Sequence, residues 1–146
     1  MATYSKFNAY TENLANGLID WDTNTFKVML TNVAPVNTNT VRTDLTEIAG
    51  GNGYTANSSN TGGGTATTIT VTRSGGTTKA VGTDVVFTAA GGTIGPFRYA
   101  VLYQDNLAST VDYLVAWWDY GSSITLNSGE TFTVDFDATN GIWQLT

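Results

Sequence analysis

The sequence predicts a mainly β protein, either an antiparallel β-sandwich or a jelly-roll-like barrel, with one short N-terminal helix. The composition supports this fold class, because Thr is the commonest residue and branched and aromatic side chains suit a pleated sheet, whereas the helix formers Lys, Glu and Gln are scarce. Short apolar–polar alternations also recur along the second half of the chain. Gly and Asn residues separate them at the spacing typical of hairpin turns.

The length of 146 residues predicts a single domain over 1–146. Such a chain buries roughly 68–70% of the surface that its unfolded form exposes, which allows a stable core without disulfide bonds or bound metal ions. The sequence has no Cys and no His, which removes disulfides and the usual ligands of zinc, haem and iron–sulfur clusters. We therefore expect neither a metal nor a cofactor.

The charge distribution argues against nucleic acid as a partner. The net charge is −6, and a protein that neutralises phosphates needs clustered basic residues. The basic residues are instead scattered singly, as Lys6, Lys27, Arg42, Arg73, Lys79 and Arg98. There is no apolar run of about 20 residues and no signal-peptide pattern at the start, so we expect a soluble protein rather than a membrane protein.

The first segment, 1–20, is predicted to be helical. An apolar stripe at helical spacing comprises Phe7, Tyr10, Leu14 and Leu18. Ser5 is the expected N-cap, and Gly17 is expected to end the helix. So short a helix must pack on something, either one end of a sheet or the surface of a partner.

Alternating side chains predict a strand over 26–30, after a turn at 22–24. Further strands are predicted over 68–72, 78–81, 84–88, 96–104, 112–119, 124–126, 130–136 and 142–145. The segments 97–103 and 113–118 are apolar on both faces, with residues 113, 115 and 117 sharing one face. Such strands lie at the centre of a sheet, or one of their faces meets another subunit.

Two segments between the predicted strands are expected to be irregular. Residues 33–46 are polar and contain Pro35, which predicts a surface loop. Residues 50–66 are rich in Gly, Asn and Ser and contain little that can be buried, which predicts a flexible loop or arm with Tyr54 as its anchor.

The sequence offers no catalytic constellation. Without His or Cys there is no Ser–His–Asp triad and no thiol nucleophile. A carboxylate pair for glycoside hydrolysis would come from Asp20, Asp22, Asp119, Asp135 and Asp137, but turns, strand caps and a solvated face explain these residues better. Asp20 to Asn24 resembles the start of a calcium-binding EF-hand loop, but Thr25 and Thr31 occupy the positions that need Gly and Glu. We expect a non-enzymatic protein.

Aromatic residues are the candidate contacts with a partner. Exposed Trp and Tyr side chains stack on sugars, which makes Trp21, Trp117, Trp118, Tyr120 and Trp143 candidates for carbohydrate binding, with core packing as the default interpretation. The candidate partner-contact residues are Phe7, Tyr10, Trp21, Tyr54, Trp118 and Tyr120.

Several blocks, read together, resemble a family of capsid decoration (cement) proteins that tailed bacteriophages encode beside the major capsid protein. The blocks are Tyr4-Ser5-Lys6-Phe7-Asn8, 26–32, Glu47-Ile48, Gly51-Asn52-Gly53-Tyr54, 95–99, 117–123 and Ser128-Gly129-Glu130. The resemblance spans most of the chain apart from 57–80.

The resemblance implies a structural protein of the virion, made in the cytoplasm of the bacterial host, that binds the major capsid protein at the outer capsid surface. It implies no catalytic or cofactor residues. We expect self-association, as a homotrimer at the threefold positions of the capsid, because closed symmetric oligomers are common. The alternative function is a carbohydrate-binding adhesion module on a phage head or tail fibre, with a glycan as its ligand.

Overall fold

The computed structural model describes residues 2–56, 63–106 and 111–146. The protein is mainly β, with antiparallel sheets and a β-sandwich-like fold, as the sequence predicts. The helix α1 spans Ala9–Ala15, and a short 3-10 helix spans Arg42–Asp44. The strands are β1 Thr3–Lys6, β2 Thr25–Thr31, β3 Thr65–Thr67, β4 Ile69–Ser74, β5 Thr77–Gly82, β6 Val85–Thr88, β7 Ile94–Asp105, β8 Leu114–Leu126, β9 Thr131–Val134 and β10 Trp143–Leu145.

The strands form three antiparallel sheets. The largest has five strands in the order β1-β8-β7-β2-β3, and the others have the orders β10-β5-β4 and β6-β9. The main hydrophobic core draws on all three, through residues such as Phe26, Ala80 and Phe87. The core therefore lies between the five-stranded sheet and the two smaller sheets, as in a sandwich.

The central strands β7 and β8 are buried on both faces where residues 99–105 of β7 lie beside residues 114–117 of β8. Leu102 belongs to the main core and Tyr103 to a second cluster, and both side chains are fully buried. The second cluster comprises Phe7, Met29, Tyr99, Val101, Tyr103, Leu114 and Trp117. Burial at the sheet centre, the default interpretation of these apolar strands, is confirmed within a single chain.

A long segment, 32–48, covers the second cluster. Leu45 packs against the cluster. The carbonyl of Asn37 accepts a hydrogen bond from the N–H of Asn8 (2.9 Å), and the carbonyl of Thr40 accepts one from Leu114 (3.2 Å). The predicted surface loop is therefore bound along its length to the sheet that it covers.

The N-terminal segment differs from the prediction. Thr3–Lys6 is a strand that pairs with β8 from Asp119 to Ala116, so Ser5 lies within a strand and the N-cap of the helix is Asn8. Pairing with the edge of β8 satisfies backbone groups that local helical spacing cannot reveal. The helix does end where expected, since Gly17 has a φ of +70°.

Two further boundaries are corrected. Thr65 and Ala66 belong to the predicted flexible loop 50–66, but together with Thr67 they form β3, which pairs with β2. The predicted strands 112–119 and 124–126 are one strand, which continues through Gly121 at a φ of +85°. Residues 57–62, the middle of the predicted loop, lie outside the described residues.

Tyr54 anchors the segment before β3. It is 3% exposed, and its hydroxyl accepts a hydrogen bond from the N–H of Leu30 (3.0 Å) and donates one to Glu47 Oε1 (2.6 Å). Because β3 pairs with β2 only as far as Val28, the hydroxyl takes the place of a strand partner at Leu30. Burial, and then the charge of Glu47, raise the pKa of Tyr54, so the hydroxyl keeps its proton and remains a donor.

We expect Tyr54→Phe to lower the free energy of unfolding by about 1 to 2 kcal/mol, because it leaves the buried N–H of Leu30 without a partner. Urea unfolding would measure the loss. Tyr120→Phe is the matched control, since the Tyr120 hydroxyl makes no hydrogen bond to any described residue. Equal losses in the two variants would contradict this role for the Tyr54 hydroxyl.

Candidate partner-binding surface

Four of the six candidate contact residues lie in the core of the chain. Phe7 is 0% exposed, Tyr54 3%, Tyr10 4% and Trp21 6%. Their burial corrects the expectation that they contact a partner. Trp118 and Tyr120 are half-buried and reach the surface.

Ring packing explains the burial of the N-terminal aromatic residues. Trp21 stacks on Phe26 with ring centroids 4.2 Å apart, and its indole N–H donates a hydrogen bond to the Tyr10 hydroxyl (3.1 Å). Phe7 packs against Trp117 at 4.5 Å. These contacts remove Trp21 and Trp117 from the candidates for sugar stacking, whereas Trp143 remains half-buried.

The two surface candidates belong to a larger group of rings. We call this group the aromatic strip, and it consists of Tyr4, Trp118, Tyr120, Phe132 and Phe136. Trp118 and Tyr120 share one face of β8 because side chains two apart in a strand point the same way. Tyr4 lies opposite Trp118 in the β1–β8 register, with ring centroids 5.6 Å apart. The rings of Trp118 and Phe136 are 5.5 Å apart, and those of Tyr120 and Phe132 are 4.8 Å apart.

A cleft opens beside the strip, and we call it the Tyr4–Trp118 cleft. Its volume is about 280 Å³, and its lining residues are Tyr4, Trp118, Asp135, Phe136, Asp137, Gly141 and Ile142. Tyr4 is 44% exposed, so its ring is accessible at the rim. The lining contains two acidic residues and no basic residue.

The two carboxylates of the cleft have different surroundings. Asp137 accepts hydrogen bonds from the N–H groups of Asn140 (3.0 Å) and Thr139 (2.7 Å) and from the Asn140 side chain (2.6 Å). These bonds, those of Asn140 foremost, lower the pKa of Asp137 and hold its charge. Asp135 accepts no hydrogen bond from the described residues. Burial, and then the charge of Asp135, raise the pKa of Tyr120 to about 12.

Other acidic residues singled out in the sequence have structural roles. The Asp20 carboxylate accepts hydrogen bonds from the Thr23 hydroxyl (2.7 Å) and the N–H of Asp22 (2.9 Å), which confirms the interpretation as a turn. Asp119 forms a two-pronged pair with Arg98, at 2.7 and 2.8 Å, and this pair lowers its pKa. Within 2–56, 63–106 and 111–146, no three acidic side chains group to hold a metal ion.

A different apolar surface lies on the covering segment 32–48. Val33 is 55% exposed and Val36 is 53% exposed, on either side of the buried Pro35. The Asn39 side chain accepts a hydrogen bond from the N–H of Val36 (2.8 Å), which orders this loop. Unlike the aromatic strip, the segment 32–48 contains no aromatic residue.

Comparison with protein families, curated proteins and solved structures finds no match to this chain. Across the part of the chain that is described, no helix is long and apolar enough to cross a membrane. The sequence showed Trp118 and Tyr120 as candidates, but it missed Tyr4, which lies in the N-terminal segment 1–20, just before the expected N-cap Ser5. Tyr4 joins this surface because β1 pairs with β8, and local sequence patterns do not reveal a pairing between segments so far apart in the chain.

Proposed function

We propose that this protein is a capsid decoration protein of a tailed bacteriophage, which binds the outer surface of the head through the aromatic strip and stabilises the mature shell. The observation that carries the proposal is the accessible edge of the strip, where Tyr4 is 44% exposed and Trp118 and Tyr120 are half-buried. Aromatic residues are enriched in protein interfaces and provide much of their binding energy.

The resemblance of several sequence blocks to decoration proteins also supports the proposal, and the fold brings some of these blocks into contact. Glu47 and Tyr54, from two blocks, share a hydrogen bond of 2.6 Å. Arg98 and Asp119, from two other blocks, form an ion pair of 2.7 Å. The block 117–123 itself contributes Trp118 and Tyr120 to the strip. Residues far apart in sequence thus form a common framework that carries the proposed surface.

The proposed partners are the major capsid protein and further copies of this chain, in a homotrimer. A protein that binds only the assembled, expanded shell favours that state by mass action, so no chemical reaction is required. The strip provides a contact that can be repeated at every equivalent position of the shell.

The proposal is tested by co-sedimentation of the purified protein with expanded shells of the parent phage that lack it. We expect saturable binding, and we expect Tyr4→Ser to weaken it about tenfold or more because it removes an exposed interface ring. Val71→Ser is the matched control, since Val71 is 41% exposed on β4, away from the strip. Both variants should keep the wild-type circular dichroism spectrum.

Failure of the wild-type protein to bind either expanded or unexpanded shells would contradict the proposed function. Equal weakening by Tyr4→Ser and Val71→Ser would contradict the assignment of the contact to the strip.

The cleft also favours a second candidate, a carbohydrate-binding adhesion module on a phage head or tail fibre. An accessible Tyr4 ring beside Trp118, with carboxylates at the edge, is an arrangement on which a sugar ring can stack. This candidate predicts glycan-dependent tryptophan fluorescence that Tyr4→Ser abolishes. The absence of any response on a glycan array would dismiss it.

A further inference from the structure

We infer that the Tyr4–Trp118 cleft receives an arginine side chain from the surface of the partner protein. The inference rests on the proposed function, because it specifies which side chain of the partner would bind at the same surface.

The lining combines aromatic rings with acidic side chains. A guanidinium group stacks on the face of Tyr or Trp and at the same time donates hydrogen bonds to a carboxylate. Tyr4 and Trp118 provide the rings, and Asp135 and Asp137 provide the carboxylates. A volume of about 280 Å³ suits a side chain rather than a larger element of structure.

The acidic charge of the cleft is not neutralised by an ion pair. The ion pairs of the described residues engage Asp105, Asp112 and Asp119, and none of them involves Asp135 or Asp137. The ammonium group of Lys79 donates to the carbonyls of Ala138 (3.0 Å) and Thr139 (2.8 Å). Its charge helps to lower the pKa of Asp137, but Lys79 forms no ion pair with Asp137 and does not line the cleft. A cation from outside would therefore complement the cleft.

The hydrogen-bonding capacity of the lining favours a donor. Asp135 is exposed, and its carboxylate accepts no hydrogen bond from the described residues, so a donor from a partner would compete there only with solvent. The only side-chain donors of the lining are the Tyr4 hydroxyl and the Trp118 indole N–H. A guanidinium has five N–H donors and no acceptor, whereas a sugar hydroxyl both donates and accepts. The lining thus matches arginine better than it matches a sugar.

The test is a titration of the full chain with N-acetyl-arginine amide, followed by two-dimensional ¹H–¹⁵N NMR. The neutral isostere N-acetyl-citrulline amide is the control ligand. We expect arginine to bind in the millimolar range and to shift the signals of Tyr4, Trp118 and Gly141, while citrulline binds about tenfold more weakly, since charged hydrogen bonds contribute more than neutral ones.

Asp135→Asn removes one charge with little change of shape, and we expect it to weaken arginine binding about fivefold to tenfold. Asp22→Asn is the matched control, because Asp22 is exposed and lies outside the cleft. It should leave the affinity unchanged, and both variants should keep the wild-type spectrum elsewhere.

The inference is overturned if arginine shifts no signal of the cleft, if citrulline binds equally well, or if a methyl hexoside shifts these signals and arginine does not. Co-sedimentation with shells separates this inference from the proposed function. Shell binding without arginine binding would reject the arginine site alone, whereas arginine binding without shell binding would reject the capsid role and retain the site.

Discussion

Gly53→Ala is expected to lower the free energy of unfolding by about 3 to 5 kcal/mol. Gly53 has a φ of +98°, a conformation that strains any residue with a Cβ atom. A Cβ atom at this position would also overlap the carbonyl oxygen of Thr88, which is backbone and cannot rotate away. The neighbouring turn is held to the same place, because the N–H of Ala90 donates to the Asn52 carbonyl (2.8 Å). Thermal and urea unfolding would measure the loss.

Gly129→Ala is a control that separates the effect of the positive φ from the effect of overlap with a neighbouring atom. Gly129 has a similar φ of +91°, but a Cβ atom there would meet nothing within 4 Å. We expect this control to cost about 1 to 2 kcal/mol, from backbone strain alone. If the two variants lose the same stability, the close approach of Gly53 to Thr88 contributes nothing.

Asp112→Asn is expected to cost about 2 to 3 kcal/mol, because it leaves the guanidinium of Arg42 without its charged partner in a nearly buried site. Asp112 Oδ2 lies 2.7 Å from Arg42 Nε, and the two side chains are only 10% and 11% exposed. The other carboxylate oxygen of Asp112 accepts a hydrogen bond from the N–H of Asn106 (3.0 Å). Arg42 belongs to the segment 32–48, so this pair fastens the cover of the second cluster. The remaining exposure places the estimate below that for a fully buried pair.

Asp119→Asn is the matched control in an exposed pair. Asp119 accepts two hydrogen bonds from Arg98, but the side chains are 29% and 38% exposed. We expect a much smaller loss than at Asp112, because solvent screens the pair. A loss at Asp119 as large as that at Asp112 would show that hydrogen-bond number, rather than burial, determines the contribution of these ion pairs.

The strands of the second half were predictable because their signals are local. Alternation and a Gly-Gly turn identify β4 and β5, whose hairpin pairs Ser74 with Thr77 across Gly75 and Gly76. The β1 strand was not predictable in this way, since its partner β8 lies more than 100 residues away in the chain. The local spacing of apolar residues favoured a helix in the segment 1–20. The structure instead has the strand Thr3–Lys6 before the helix Ala9–Ala15.

In β8, simple alternation of residues did not predict correctly which side chains share a face. Leu102 pairs with Ala116 and Tyr103 pairs with Leu114, so Val115 is an extra residue in β8. This β-bulge reverses the alternation, and Leu114 and Trp117 consequently share the second cluster. Tyr113 and Val115 both pack in or against the main core, as predicted, but the prediction that Trp117 shares their face was wrong.

The candidate site was predictable only in part, because an aromatic residue has the same chemistry whether it is buried or exposed. Trp118 and Tyr120 were predicted as contacts and do reach the surface. Trp21 and Tyr54 were predicted with equal reason, but tertiary contacts bury them. Asp135 was interpreted as part of a solvated face, and only the fold places it beside the aromatic strip.

The most direct test of the proposed capsid role is the temperature at which expanded shells rupture, measured by calorimetry with and without saturating protein. We expect the protein to raise this temperature, and Tyr4→Ser at the same concentration to raise it less than Val71→Ser does. An unchanged rupture temperature at saturating protein would contradict the proposal that this chain stabilises the mature head.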